Sequence, residues 1–301
     1  MLFRHNNLIR RARIIQEIRH FFVSQGFLEV ETPLRIPANA PEEYIDPICS
    51  ANWFMQTSPE ICMKRLLCQG HEKIFQISHC WRRGERGRHH VPEFTMLEWY
   101  RANNSYLDLM KDCENLLRWL AVECCQQENI VYQGKNIYLT HTAKRLTVKE
   151  MFQKFSALTM EEAIVGDTFD EIMVTQIEPA LPLDIPVILM DYPVEMAALA
   201  RVKPSDSTIA ERFEFYLGGL ELANGFSELN DPFEQRKRFL LANSKRLATG
   251  SAPLPLPEPF LTELAALPPS AGIALGVDRL IMLLVDANRI DEVLAFSPED
   301  L

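Results

Sequence analysis

Two widely separated segments each carry an arginine among acidic and apolar residues in strand-like runs. One is HCWRRGERGRHHVPEFTMLEWYR at 79–101, around Arg82, and the other is GIALGVDRLIMLL at 272–284, around Arg279. Together they hold what activation of a carboxylate by ATP requires. That reaction brings two anions together, so its site needs fixed cations on the carboxylate and α-phosphate, a divalent metal on the phosphates and a flat slot for adenine. Arg82 closes a strand, where its planar donors can bridge carboxylate and α-phosphate. Phe94, on the next strand, can stack on adenine with the Arg279 guanidinium on the other face. Glu214 and Glu221 are hard oxygen ligands suited to Mg²⁺ that ATP oxygens also hold. Spacing alone leaves that pair open to being two solvated acids on a sheet edge. Arg83, Arg86 and Arg88 are likewise open to being a solvated loop rather than a grip on a triphosphate.

The elements that must position these groups follow from pattern and punctuation. Apolar residues at helical spacing predict an opening helix over 8–25, stopped by Gly26, and a strand over 27–32 cut short by Pro33. Ser58-Pro59-Glu60 is a helix start, with the helix continuing over 61–67. Strands are predicted at 75–80 and 94–101, joined by the arginine-rich loop, and an amphipathic helix at 106–123. The stretch 126–185 reads as small helices forming an insertion. Strands follow at 187–190, 212–217 and 220–226, then a helix over 233–249. Pro253, Pro255, Pro257 and Pro259 mark an extended crossing, with helix again at 260–267. A short strand at 273–275 leads into a helix over 277–286. The loop 36–48, with Pro37, Pro41 and Pro47, is open to being an ordered cover over the site or a mobile one.

Composition narrows the classes. The 301 residues, 47% hydrophobic and 24% charged, suit one dominant soluble domain. A net charge of -10 argues against general affinity for nucleic acid, which depends on neutralising many phosphates. Seven cysteines without a CxxC pair support neither a disulfide framework nor a zinc knuckle. No apolar run is long enough to span a membrane, and the N-terminus, with Arg4, Arg10, Arg11 and Arg13, lacks the pattern of a signal peptide. A cytoplasmic protein is expected.

FLEVETP at 27–33 resembles motif 1 of class II aminoacyl-tRNA synthetases, 75–101 resembles motif 2, and 272–284 resembles motif 3. TSPE at 57–60, PEFTMLEWY at 92–100 and ELANGFSELND at 221–231 are similar to landmarks of the lysine branch. The resemblance spans nearly the whole chain. It implies an α+β class II catalytic core, a central antiparallel β-sheet flanked by helices, as a single domain over 1–301 with a helical insertion around 126–185. Lysyl-tRNA synthetases carry an N-terminal anticodon-binding OB-fold, for which this chain leaves no room ahead of motif 1. The similarity is therefore to the stand-alone elongation factor P lysyltransferases. Members of that family activate lysine, preferably (R)-β-lysine, as an adenylate and pass it to a lysine ε-amine of elongation factor P. tRNA is not the expected acceptor, ATP and Mg²⁺ are expected, and class II cores usually pair as homodimers.

The resemblance assigns roles residue by residue. Ser58, Pro59 and Glu60 should bind the substrate, Glu60 holding its amino group near its carboxyl end. Tyr100 and Glu228 should form the distal ammonium pocket, supported by Asn224. Arg82, Arg83, Gly84, Glu85, His90, Val91, Phe94, Glu221, Leu222, Gly276 and Arg279 should enclose ATP, with Glu214 and Glu221 on the metal. Taken singly, Glu60 also suits a helix-dipole acid, Tyr100 a half-buried strand aromatic and Phe94 simple core. Ala274 stands where lysyl-tRNA synthetases usually have glycine. A methyl in a tight pocket supplies about 1 to 3 kcal/mol of discrimination, the scale of a shift in preference from α- to β-lysine, and Ala274 is likewise open to being plain helix or strand filler. Two positions depart from the pattern. Val91 replaces a usual asparagine, leaving only a backbone contact to adenine. Gly84 stands where an acid is usual, with Glu85 substituting through a loop that Gly84 permits.

The implied reaction has two halves: formation of the aminoacyl-adenylate with Arg82 and Arg279 stabilising charge, then attack by a lysine amine. No residue is an obvious general base for the second. A stand-alone enzyme charging tRNA and an amide-forming synthetase with a small-molecule acceptor share these residues. A regulator that has lost catalysis would be expected to lack one of the arginines or metal acids, and all are present.

Overall fold

Alternation in the strand Glu93–Ala102 decides which side chains serve the core and which the site. Leu97 and Trp99 point to one face, where they are fully buried with Phe22 and Phe75, while Phe94, Met96, Glu98 and Tyr100 point to the other and line cavities. The strand Ser270–Gly276 repeats the rule. Ala271, Ile273 and Leu275 join the core, and Gly272, Ala274 and Gly276 border the cavities. The structure is a computed structural model and describes residues 2–126, 128–139 and 141–301.

These strands belong to a nine-stranded sheet. Its centre runs Lys73–Trp81, Glu93–Ala102, Ser270–Gly276, Leu220–Ser227, Asp206–Leu217 and Val187–Pro193, each antiparallel to its neighbour. Both margins are parallel: Leu28–Glu29 beside Lys73–Trp81, and Lys144–Thr147 beside Val187–Pro193. Val202–Lys203 pairs with Asp206–Leu217. The expected α+β class II core thus has an antiparallel centre with parallel edges, because each edge strand is reached through a long crossover rather than a hairpin. Behind the sheet, the helices Leu2–Ser24, Tyr106–Cys125 and Val277–Val285 supply Ile14, Ile18, Leu109, Leu116, Leu280 and Leu283 to one core. On the site side, the helix Glu60–Cys68 packs Ile61 and Leu67 with Phe239 and Phe260.

The 126–185 segment, expected to be helical, begins with strands. Asn129–Tyr132 and Lys135–Tyr138 form a hairpin, and Lys144–Thr147 is the sheet edge. At the hairpin turn Gln133 and Gly134 both have positive φ, 48° and 74°, the pairing of a two-residue type I′ turn. Helices begin at Val148 and build a second apolar cluster around Phe152, Phe169 and Ile177.

Candidate active site

Two cavities on the site face of the sheet, of about 150 and about 280 Å³, share Glu42, Arg82, Met96, Asn224 and Ala274 at their junction. The smaller holds a cluster of acids. Glu60 opens the helix Glu60–Cys68, and Lys64, one turn on, forms an ion pair with it. Lys64 Nζ also lies 2.5 Å from Glu228 Oε2, and neither Lys64 nor Glu228 has appreciable exposure. Glu98 accepts from Ser58 Oγ at 2.5 Å and from Tyr100 Oη at 2.7 Å. Burial, and then the Glu60 charge, pushes its pKa up to about 8. Burial also raises Glu228 despite Lys64. In both Glu98 and Glu228 the Glu60 charge works with burial against Lys64, so the acids of this cluster outweigh its one ammonium. Gly272 makes room beside them, since a Cβ there would overlap Tyr100 and Glu228 Oε1.

The larger cavity is bordered by Arg82, Glu85, His89, His90, Phe94, Glu221, Gly276 and Arg279, with Val91 and Leu222 in its wall. The Arg82 guanidinium stands 5.2 Å from the Phe94 ring centroid. Its Nε is buried with no acceptor among the described residues, as is His89 Nε2. An unpaired buried guanidinium N–H at a cavity wall suits an anion. Arg279 donates to the Glu221 carbonyl at 2.9 Å and the His89 carbonyl at 3.3 Å, and contacts His90. Desolvation and this guanidinium hold His90 down at about 4, so its ring is neutral at physiological pH and can accept a hydrogen bond.

Glu221 and Asn224 both reach the cavity although three residues apart, because a bulge interrupts their pairing with Asp206–Leu217. Glu214, on that partner strand, lies behind the cavity wall. Its carboxylate accepts from Tyr192 and Tyr216 hydroxyls, both at 2.6 Å, and from Arg212 at 2.7 Å. Burial and the Glu214 charge raise Glu221. The two acids are hard oxygen donors of the kind a divalent cation takes, and each is also paired with an arginine, Glu214 with Arg212 and Glu221 with Arg279 at 3.4 Å. Among the described residues no three His, Cys, Asp or Glu side chains converge to hold an ion unaided.

Most residues singled out from the sequence border one cavity or the other. Glu214 stands behind the larger one, Glu228 is buried against Lys64 beside the smaller one, and three more stand apart. Arg83 turns outward to Asp46 at 3.2 Å, Gly84 sits on the exposed loop with φ +81°, and Pro59 is buried at the start of its helix. Gly84 therefore serves the loop's path, as expected, and Glu85 does border the nucleotide cavity. Sequence reasoning missed Lys64, Glu98, Glu42 and Arg212. Alternation with Phe94 and Tyr100 is a signal for Glu98, and the i,i+4 spacing from Glu60 is one for Lys64. Arg212 Nε donates to Asn224 Oδ1 at 3.2 Å, and its Nη1 donates to the Met196 carbonyl at 2.6 Å. The loop 36–48 lies over the site, with Glu42 and Ile45 in the cavity linings. Arg246, itself only 2% exposed, donates to the carbonyls of Glu42 and Ile45 and pairs with Asp46 at 2.6 Å.

An arginine at the junction of an acid-lined compartment and a second, arginine-walled cavity, on an antiparallel sheet, defines a class II synthetase catalytic core. The family model for tRNA synthetases class II (D, K and N) matches residues 3–300. A curated protein of Erwinia tasmaniensis, an elongation factor P–(R)-beta-lysine ligase, is 39% identical across 97% of this chain and 94% of its own length. Proteins of the same name from Hamiltonella defensa and Proteus mirabilis are each 38% identical, covering 98% and 96% of this chain and 95% and 94% of their own. The chain belongs to the elongation factor P (R)-β-lysine ligase family of class II synthetases.

Proposed function

We propose that the protein activates lysine, preferably (R)-β-lysine, with ATP as an aminoacyl-adenylate and transfers the acyl group to a lysine ε-amine of elongation factor P. The observation that carries this reading is the charge count of the smaller compartment. With Arg212 taken up by Glu214, the acids Glu60, Glu98 and Glu228 outnumber Lys64 by two and suit two ammonium groups, while Arg82 at the junction offers a donor to one carboxylate. A diamino monocarboxylic acid meets all three demands at once. The names of the relatives supply the acceptor and the β isomer.

In this reading Ser58, Glu60, Tyr100 and Glu228 bind the substrate, with Asn224 and Ala274 shaping the pocket. Arg82 orients the carboxylate for attack on the α-phosphorus and, with Arg279, stabilises the charge that grows there. Phe94, His90, Val91, Leu222 and Gly276 wall the nucleotide. Glu221, backed by Glu214, would hold Mg²⁺, which when bound neutralises phosphate charge. Arg83 and Gly84 shape the loop that closes over the phosphates. We place the reaction in the cytoplasm, with the translation factor it serves, and read the chain as a homodimer. An apolar groove formed by Leu8, Ile15, Ile48, Ile77, Trp81 and Phe296 supports a second copy there.

The test is the intact mass of elongation factor P after incubation with the protein, ATP, Mg²⁺ and either lysine isomer, with an Arg82→Ala control and tRNA charging in parallel. Gain of one lysyl unit, lost in the control and greater with (R)-β-lysine, is expected. Charged tRNA with an unmodified factor would overturn the reading.

A further inference from the structure

The transfer half of the proposed reaction lacks a base, and the inference here rests on that reading. An acyl-adenylate places its acyl chain in the smaller cavity and AMP in the larger, so its carbonyl carbon lies where the two meet. Only Glu42, Arg82, Met96, Asn224 and Ala274 border both. Of these side chains Glu42 alone exchanges a proton near neutral pH, since a guanidinium stays charged and a thioether, an amide and a methyl do not titrate. We propose that Glu42 is the general base that deprotonates the acceptor amine in the transfer step.

The surroundings separate Glu42 from the other acids and histidines. Glu60 and Glu228 face Lys64, and Glu98 is held by Ser58 and Tyr100; Glu60 and Glu98 border the smaller cavity alone, and Glu228 is buried behind it. Glu85, His89, His90 and Glu221 border only the larger one. Among the described residues none donates a hydrogen bond to the Glu42 carboxylate, so its lone pairs are free. Glu42 is half-buried and so keeps some contact with solvent. The charged groups facing it are Arg82 and Arg212, which favour the carboxylate, and Glu60 and Glu85, which oppose it. Loss of water outweighs them and brings the group to about 7. A carboxylate so placed is a stronger base than an ordinary one yet still substantially ionised at physiological pH. Arg246 fixes its backbone from below, through the Glu42 and Ile45 carbonyls and the Asp46 carboxylate.

The step balances as follows. The acceptor ammonium gives one proton to Glu42, and the freed nitrogen pair forms the C–N bond to the adenylate carbonyl carbon. The C–O bond to phosphate breaks, AMP leaves with that electron pair, and the second nitrogen proton passes to water. Glu42 then returns its proton to solvent.

The test separates the half-reactions in Glu42→Gln and Glu42→Asp. Pyrophosphate exchange reports adenylation, and single-turnover transfer from preformed adenylate to elongation factor P reports the second step. General-base loss costs about 10²–10⁴ in rate, so transfer by the Gln variant should fall at least about 100-fold and exchange by far less, with partial recovery in the Asp variant. Capture of the adenylate by hydroxylamine, an amine neutral at pH 7, should escape the defect. The wild-type transfer rate should rise with pH and level off above about 7, whereas the Gln variant should keep rising as the acceptor amine itself deprotonates, near its ordinary value of about 10.4. Unchanged transfer, an equal fall in both half-reactions, or an equal loss with hydroxylamine would overturn the proposal. Absence of exchange in the wild-type protein would instead remove the adenylation reading beneath it.

Discussion

Glu98 is a carboxyl that the folded protein holds at a cost, and replacing it with glutamine should stabilise the protein without ligand. The side chain is 1% exposed, and burial moves its pKa from the ordinary 4.5 to about 8. Below pH 4.5 it is protonated folded or unfolded and contributes no difference. As pH rises, the unfolded chain ionises first and draws the equilibrium toward itself, so stability falls until pH passes about 8 and is then level. At about 1.4 kcal/mol per tenfold in acidity, the loss is roughly 1 kcal/mol at pH 5.5, 3 at pH 7 and 4 at pH 8. Glutamine cannot ionise. One of the two hydroxyls on Glu98, Ser58 or Tyr100, must reverse its hydrogen bond to face the new amide, which costs about 1 kcal/mol. Glu98→Gln should therefore match wild type near pH 5.5 and exceed it by about 3 kcal/mol at pH 8.

Urea unfolding of both proteins at the two pH values, without substrate, measures this through the midpoint at constant slope. Ligand should reverse the order. Wild type, with its full set of acids, should gain more stability from (R)-β-lysine than the variant, whose compartment has lost one charge to match the second ammonium. A variant less stable than wild type at pH 8, or one with the same pH slope, would refute the account of Glu98. A variant that bound the diamine as tightly would refute the charge count from which the substrate class was inferred.

Ala274→Gly removes a methyl at the cavity junction and should shift preference toward α-lysine by up to about 1 to 3 kcal/mol, read as the ratio of kcat/KM for the two isomers in pyrophosphate exchange. Gly272→Ala places a Cβ against Tyr100 and Glu228, and substrate affinity should collapse while binding of ATP, followed by calorimetry, changes little. Arg246→Met releases the loop that carries Glu42 and Ile45. KM for both ATP and the amino acid should rise several-fold, and proteolytic cleavage within 36–48 should quicken.

What the sequence made legible was whatever a short stretch of chain determines by itself. Phe94, Met96, Glu98 and Tyr100 share a face because a strand alternates, so reading two of them should have led to the other two. The hairpin at 129–138 was equally local. Its alternating apolar residues and the Gln133-Gly134 pair are a turn signal that the reading of 126–185 as helices passed over. Other features depend on partners the chain brings together only by folding. Lys64 is an ordinary helical lysine until Glu228 meets it from just beyond the strand Leu220–Ser227. Arg246 reads as a last-turn cation complementing its helix dipole, yet it is buried and holds a loop some 200 residues earlier. Glu42 lies in a proline-punctuated loop without periodicity, and nothing near it in sequence says that it covers Arg82. Charge at the end of a strand could be anticipated, whereas the roof over that strand could not. The structural features most open to experiment, the acid surplus and the loop that Arg246 secures, therefore lie among residues whose importance depends on distant partners.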